Sequence, residues 1–126
     1  MILVDTSVWI EFFKGKKIAS EVDRLLDDNL AALCGPILTE LLRGIRTEKD
    51  RGAVIPLLQG CRFLEQPQLL WEEAGTLGFH LRAKGIVVKT MDLLITTYAV
   101  AHRTPILTLD SDFSKIRKAG IPIELV

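Results

Sequence analysis

The feature that most constrains the fold of this chain is a regular alternation between short apolar runs and longer segments with helical periodicity. Five runs have the length and composition of buried strands: "ILV" at 2–4, "LAALC" at 30–34, "CRFLE" at 61–65, "ILTL" at 106–109 and "IPIELV" at 121–126. Strands that alternate with helices are typical of a parallel sheet covered on both faces. The sequence therefore predicts an α/β fold in which helices cover both faces of a parallel sheet.

Seven segments between these runs have the pattern of helices. Thr6 or Ser7 is the predicted N-cap of the first, Pro36 fits the first turn of the third, and Thr90 is the predicted cap of the sixth. The first helix, which contains Trp9, is apolar on nearly all sides, and this indicates that one of its faces meets a partner. The predicted helices cover residues 6–13, 18–26, 36–45, 50–59, 68–83, 91–102 and a short segment that starts near 112.

Length and charge limit the classes of protein to which the chain can belong. A chain of 126 residues without a Pro/Gly-rich linker fits a single domain, 1–126, that can bury a core without disulfides. Its 16 basic residues balance 16 acidic ones, so a polyanion would have to be held by local patches or by a bound cation. No run approaches the ~20 apolar residues of a membrane span. Asp5 interrupts the first apolar run and the two cysteines lack a CxxC spacing, so we expect a cytoplasmic protein with reduced thiols.

Four carboxylates are predicted to meet at one edge of this sheet. Asp5 follows the first strand, and Asp110 follows "ILTL" in the same way. Glu40 lies early in the helix after the second strand, and Asp92 lies in the first turn of the sixth helix. In a parallel sheet the carboxyl ends of the strands and the amino ends of the following helices share one edge, where ligands bind. Each residue alone fits a turn, a helix N-terminus or an exposed glutamate, but their joint occurrence indicates a site.

Crowded carboxylates predict a bound cation. They repel one another unless a cation neutralises them, and sites built from carboxylate oxygens favour hard divalent ions, so Mg²⁺ or Mn²⁺ is the predicted cofactor. Acidic clusters that hold such ions are common in enzymes that cut phosphodiester bonds. Other sites fit the sequence worse, because His80 and His102 are isolated and neither a phosphate-binding glycine loop nor a GxSxG motif occurs.

Four segments in this order resemble the PIN-domain family, and in particular its VapC-type toxin ribonucleases. They are "ILVDTSVWI" at 2–10, "TELLRG" at 39–44, "MDLLITTYA" at 91–99 and "TLDSDF" at 108–113, so the resemblance extends over essentially the whole chain. The resemblance implies a set of catalytic metal ligands: Asp5, Glu40, Asp92 and Asp110, with Asp112 as an auxiliary ligand or a substitute for Asp110. It also implies that the hydroxyl groups of Thr6 and Thr108 order carboxylates or a metal-bound water.

The resemblance also implies a fold, an activity and partners. The fold is a PIN-like three-layer α/β/α sandwich with about five parallel strands, and the activity is Mg²⁺- or Mn²⁺-dependent cleavage of RNA. The partners are a second copy of the chain in a homodimer and a cognate VapB-like antitoxin that covers the site.

Within "TLDSDF", we expect Asp110 to bind the metal directly and Asp112 to cap the last helix or to reach the metal through water.

Two alternative functions stay open at this point. A receiver-type signalling domain is also a small parallel α/β fold with acidic residues around Mg²⁺, but it opens with adjacent acidic residues, whereas "VDTS" has one. Its phosphoacceptor aspartate would follow the third strand, where "FLEQPQ" has none. The second alternative is a non-catalytic interaction module that keeps the PIN fold, and the four acidic positions disfavour it because all are intact.

Overall fold

The computed structural model of the chain describes residues 1–126. Strands and helices alternate as the sequence predicts, and two helices in succession follow each of the first three strands. The elements are β1 (Ile2–Val4), α1 (Thr6–Phe13), α2 (Ala19–Asp27), β2 (Ala31–Leu33), α3 (Gly35–Gly44), α4 (Glu48–Gln59), β3 (Arg62–Phe63), α5 (Leu70–Ala83), α6 (Thr90–His102), β4 (Ile106–Leu107) and α7 (Ser111–Lys118).

The four strands form one parallel sheet in the order β3-β2-β1-β4. Near its centre, Leu3 of β1 aligns with Ala32 of β2 and Ile106 of β4. All of β2 is buried, and so are the adjacent residues Leu3 and Val4 of β1. Because successive residues of a strand point to opposite faces, their burial means that helices cover both faces. The α/β class and the three-layer sandwich are confirmed.

The predicted fifth strand is reduced to a single bridge. Leu125 pairs with Ile106 in parallel, and the Ile106 amide donates to the Glu124 carbonyl over 2.9 Å. Residues nearer the start of the segment cannot extend this ladder. Pro122 has no amide hydrogen, and the amide of Ile123 donates to the Ile121 carbonyl over 2.8 Å in a tight turn. The segment therefore adds to the β4 side of the sheet only at its last residues.

Two helix caps differ from the sequence prediction. Asp5, instead of Thr6 or Ser7, caps α1: its backbone is extended and its side chain accepts from the Ser7 amide. Lys89 occupies the N-cap position of α6 without a side-chain hydrogen bond, and Thr90 is already the first helical residue. Thr6 and Thr90 are thus the first helical residues, and the N-cap position falls on the residue before each of them.

The α1 helix contributes its tryptophan to the core. Trp9 is fully buried, and its ring meets Phe12 edge-on and stacks with Phe13 at centroid distances of 5.7 and 5.8 Å. Ile10 and Phe13 are 44% and 39% exposed. The apolar surface that α1 offers to a partner therefore includes these two residues and excludes Trp9.

The cysteines and the lengths of the helices complete the description of the fold. Cys34 is buried, Cys61 is half-buried, and both are free thiols. None of the helices is long and apolar enough to cross a bilayer.

Candidate metal centre

The carboxyl ends of three strands meet the amino ends of the following helices at one edge of the sheet. Asp5 directly follows β1, and its amide donates to the Leu107 carbonyl of β4 over 2.9 Å. Asp110 is the N-cap of α7, and Asp92 lies in the first turn of α6, which packs against α7. Glu40 lies in the middle of α3, the helix after β2. All four predicted carboxylates are thus carried by elements of the predicted edge.

Three aspartates form the tightest acidic cluster in the chain. Asp92, Asp110 and Asp112 each place one carboxylate oxygen within 4.8 Å of the others. Asp92 is only 6% exposed, while the other two are half-buried. Asp5 and Glu40 bring no oxygen within that distance of all three. The cluster therefore contains both aspartates of "TLDSDF", and its oxygens are the ligands that Mg²⁺ and Mn²⁺ prefer.

Asp92 carries a polar atom that the protein leaves without a partner. Its Oδ2 is buried and makes no hydrogen bond. Burial is the main cause that raises the pKa of Asp92, and together with the negative charges of Asp110, Asp5 and Asp112 it brings this pKa to about 7, against an opposing effect of Lys89. An unpaired buried carboxylate oxygen is costly unless it binds a proton or a cation. Asp92 therefore fits a cation site.

Asp5 is held in place by hydroxyl groups. Its Oδ2 accepts from the Ser7 hydroxyl over 2.7 Å and from the Thr108 hydroxyl over 2.9 Å. The Ser7 amide points to the same oxygen from 3.4 Å. Asp5 is 4% exposed, and its other carboxylate oxygen, Oδ1, makes no hydrogen bond within the chain. One oxygen of Asp5 is thus fixed by the protein and the other is left for a ligand.

Glu40 has a similar arrangement on α3. The hydroxyl of Thr6 donates to Glu40 Oε1 over 2.8 Å, across 34 residues of sequence. Thr6 and Thr108, the two predicted hydroxyl partners, therefore each donate to one of the predicted site carboxylates, Glu40 and Asp5 respectively. These hydrogen bonds fix the orientation of both carboxylates at the sheet edge.

Of the two aspartates of "TLDSDF", Asp110 caps the last helix, whereas the sequence led us to expect a cap at Asp112. Asp110 Oδ1 accepts from the Asp112 amide over 2.9 Å, so Asp110 caps α7 while its other oxygen makes no hydrogen bond. Of the two roles expected for Asp112, the cap is wrong, because α7 begins at Ser111 and places Asp112 inside its first turn; contact with a metal through water stays a prediction. The Asp112 carboxylate instead pairs with Lys115 over 3.3 Å.

Ser7 contacts one of the candidate carboxylates as well, and the sequence did not single it out for this contact. Its hydroxyl donates to Asp5 Oδ2 and accepts from the amide of Leu109 over 3.0 Å. The signal in the sequence was the spacing of Asp5 and Ser7, because an aspartate hydrogen-bonds readily to residues two positions ahead. The contact with Leu109 is visible only once β1 and β4 are paired.

This edge combines three features that suit chemistry on a phosphate ester. It offers a cluster of carboxylate oxygens for a divalent cation, a buried oxygen without a protein partner, and two further carboxylates fixed by hydroxyl groups. A cation held there would be available to an anionic ligand at the open edge of the sheet.

Known proteins resemble this chain over nearly its full length. The model of the PIN domain family matches residues 2–119. VapC ribonuclease Mb1587 of Mycobacterium bovis and ribonuclease VapC11 of Mycobacterium tuberculosis are each 33% identical to it over 124 residues, covering 94% of this chain and 92% of the relative.

Solved structures have the same fold. VapBC2 from Rickettsia felis, bound to a DNA fragment from its promoter, superposes with a TM-score of 0.78 at 21% identity, covering 100% of this chain and 98% of the other. DNA-bound VapBC from Salmonella typhimurium gives a TM-score of 0.79 at 17% identity, with 99% and 96% covered. The sheet, the acidic edge and these matches agree, and the chain belongs to the PIN-domain family.

Proposed function

We propose that the chain is a divalent-metal-dependent endoribonuclease that acts as the toxin of a toxin–antitoxin pair. The observation that supports this most is the cluster of Asp92, Asp110 and Asp112, with the unpaired buried oxygen of Asp92, in a chain whose relatives are named ribonucleases. Membership of the PIN family also sets aside the receiver-type alternative.

The carboxylates at the sheet edge are the proposed metal ligands. Asp92, Asp110 and Asp112 would hold Mg²⁺ or Mn²⁺, with Asp5 and Glu40 as further ligands through the oxygens that make no hydrogen bond. When bound, such an ion lowers the pKa of the attacking water and neutralises charge on the phosphate oxygens.

Each side chain has a defined part in preparing this site. An ion would bind Asp92 in place of the proton that its raised pKa retains near neutral pH, so cation uptake would be coupled to proton release. Thr108 occupies Asp5 Oδ2 and Thr6 occupies Glu40 Oε1, so the other oxygen of each carboxylate would be available to an ion. Fixed ligands reduce the entropy lost when the ion and the RNA phosphate bind.

The proposal includes partners and a compartment. Structural relatives of this chain are VapBC complexes bound to DNA, which favours a cognate VapB-like antitoxin for this chain as well. The toxin would act in the cytoplasm as a homodimer and join a larger assembly with the antitoxin. Ile10 and Phe13 on α1 give the antitoxin an exposed apolar contact.

Removal of a single ligand tests the enzyme. We expect purified protein to degrade RNA with Mg²⁺ or Mn²⁺ and not with EDTA, and Asp5→Asn to lose at least about 100-fold in rate, because a misplaced ligand disturbs both ion and water. Asp23→Asn on α2 removes an exposed charge and serves as the matched control. Cleavage in EDTA, or by Asp5→Asn at the wild-type rate, would refute the metallonuclease. Wild-type protein that binds Mn²⁺ without cutting RNA would favour the non-catalytic module.

The partner is tested by co-expression and binding. Expression of the chain alone should arrest growth, and the small protein encoded beside it should relieve the arrest. Phe13→Ala should weaken that complex, whereas Val87→Ala, which also removes an exposed apolar side chain, should not. Equal affinities of both variants would move the contact away from α1.

A further inference from the structure

A hydroxyl network joins the two turns that carry Asp5 and Asp110. The hydroxyl of Ser7 contacts Asp5 in its own turn and Leu109 across 102 residues of sequence. The hydroxyl of Thr108 donates to Asp5 Oδ2 across 103 residues and accepts from the Asp110 amide over 3.0 Å. Each hydroxyl thus contacts both turns.

The single hydrogen of each hydroxyl determines the direction of this network. The amides of Leu109 and Asp110 can only donate, so the oxygens of Ser7 and Thr108 accept from them. Both hydroxyl hydrogens are then free to point to Asp5 Oδ2, at 2.7 and 2.9 Å. The 3.4 Å contact between Ser7 and Thr108 is consequently a packing contact without a hydrogen of its own.

Capping of α1 does not require the Ser7 hydroxyl. The cap uses the Asp5 side chain and the Ser7 amide, and these would be present with alanine at position 7. The hydroxyl adds what alanine lacks: a second fixed donor on Asp5 Oδ2 and an acceptor for Leu109 next to Asp110. Its contribution is therefore the placement of two carboxylates relative to each other.

We infer that Ser7 is a positioning residue of the metal centre. Its hydroxyl occupies Oδ2 of Asp5, which leaves Oδ1 for an ion, and it ties the Leu109–Asp110 turn to the Asp5 carboxylate, so it would set the positions of the Asp5 and Asp110 carboxylates relative to each other. The inference rests on the proposed function, because it presupposes that both carboxylates bind the cation. No other side chain contacts both the Asp5 carboxylate and the Leu109 amide.

Mn²⁺ affinity and amide exchange together test this role. The metal-free protein is titrated with Mn²⁺ by calorimetry, and the exchange of the Leu109 amide is followed by NMR, for wild type, Ser7→Ala, Ser7→Thr and Ser7→Cys. Ser20→Ala is the matched control, since its exposed hydroxyl donates only to the Lys17 carbonyl of its own helix entry. Circular dichroism verifies that each variant is folded.

We expect Ser7→Ala to weaken Mn²⁺ binding about tenfold or more and to accelerate exchange of the Leu109 amide. Ser7→Thr should restore both within about threefold, and Ser20→Ala should change neither. If Ser7→Ala exchanges the Leu109 amide faster but binds Mn²⁺ with unchanged affinity, the positioning role is overturned. If Ser7→Ala does not fold, unchanged Mn²⁺ affinity of folded Ser7→Cys overturns it. Wild-type protein that binds no Mn²⁺ would instead overturn the proposed function itself.

Discussion

At the scale of single residues, Asp92 is the side chain whose state changes most with conditions. It is buried, one of its oxygens has no partner, and its pKa is raised to about 7, chiefly by burial and then by the neighbouring carboxylates. In the unfolded chain the same group titrates near its ordinary pKa of 3.8. Between these two values the folded protein binds more protons than the unfolded one.

Stability of the metal-free protein should therefore fall as the pH rises from about 4 to about 7. The Asp92 contribution is on the order of a few kcal/mol, since each pKa unit corresponds to about 1.4 kcal/mol. Asp92→Asn should remove this part of the pH dependence and leave the metal-free protein more stable at pH 8 than wild type. Urea denaturation across the pH range measures the free energy of unfolding, with Asp23→Asn as the control. If this free energy changes equally with pH in wild type and Asp92→Asn, Asp92 is not the group responsible.

The two aspartates of the last site motif are expected to respond differently to substitution. Asp110→Asn should lose Mn²⁺ affinity and cleavage but little stability, because asparagine caps helices as well as aspartate does. Asp110→Ala should lose a further ~1 kcal/mol of unfolding free energy through the missing cap. Asp112→Asn should reduce activity less and should not affect the cap, since it is the Asp112 amide that donates to Asp110.

Metal titration, RNA cleavage and urea denaturation of these three variants provide the comparison. If Asp112→Asn were inactive and Asp110→Asn cut normally, Asp112 instead of Asp110 would have to be assigned as the direct metal ligand.

At the scale of elements, the packing of α5 against α6 leaves different amounts of space at two glycines of α5, Gly75 and Gly78. A Cβ at Gly75 would meet open space, while a Cβ at Gly78 would lie 2.8 Å from Leu93 Cδ1. Gly75→Ala should therefore stabilise the protein by up to ~1 kcal/mol through helix propensity. Gly78→Ala should gain less, because Leu93, the neighbour of Asp92, has to move. Urea midpoints of the two variants measure the difference, and an equal gain would mean that Leu93 yields freely.

Sequence periodicity was sufficient for the helices and for their alternation with strands along the chain, because amphipathic patterns and short buried runs are local properties. It was insufficient for the last strand, since the turn at Ile121 and Ile123 uses an amide that the pattern assigns to the sheet. Helix caps at Asp5 and Asp110 depend on the backbone angles of single residues, which periodicity does not determine.

The candidate site, like the fold, could be predicted from the sequence only in part. Strand ends and helix starts placed its carboxylates at one edge because parallel topology imposes that geometry. The selection of Asp92, Asp110 and Asp112 as the tightest group depends on how α6 packs against α7, which is a tertiary property. The same holds for the contact between Ser7 and Leu109.

At the scale of the whole molecule, the net charge of zero leaves the binding of a polyanion to local groups. A cleft of about 460 Å³ beside Leu109 is lined by Lys16 and Lys17, which form no salt bridge. Its two glutamates, by contrast, are paired with Lys14 and Arg24 outside the cleft. The cleft therefore has two free positive charges next to the turn that carries Asp110.

Replacement of both lysines by alanine should weaken RNA binding and reduce the salt dependence of the affinity. For a single strand, two lost phosphate contacts lower the slope of log K against log salt by about 1.4. Lys49→Ala with Arg51→Ala on α4 removes the same charge outside the cleft and is the control. Binding is measured in the Asp5→Asn background to prevent cleavage, and equal slopes for both double variants would exclude the cleft from the RNA path.

The long sequence separation within the hydroxyl network also has a consequence for the synthesis of the chain. Asp5 emerges from the ribosome first, but Thr108, Asp110 and Asp112 emerge more than 100 residues later. A nascent chain that has not reached them lacks both the second hydroxyl on Asp5 and two of the three clustered carboxylates. The acidic cluster is therefore complete only after the last part of the chain has been synthesised.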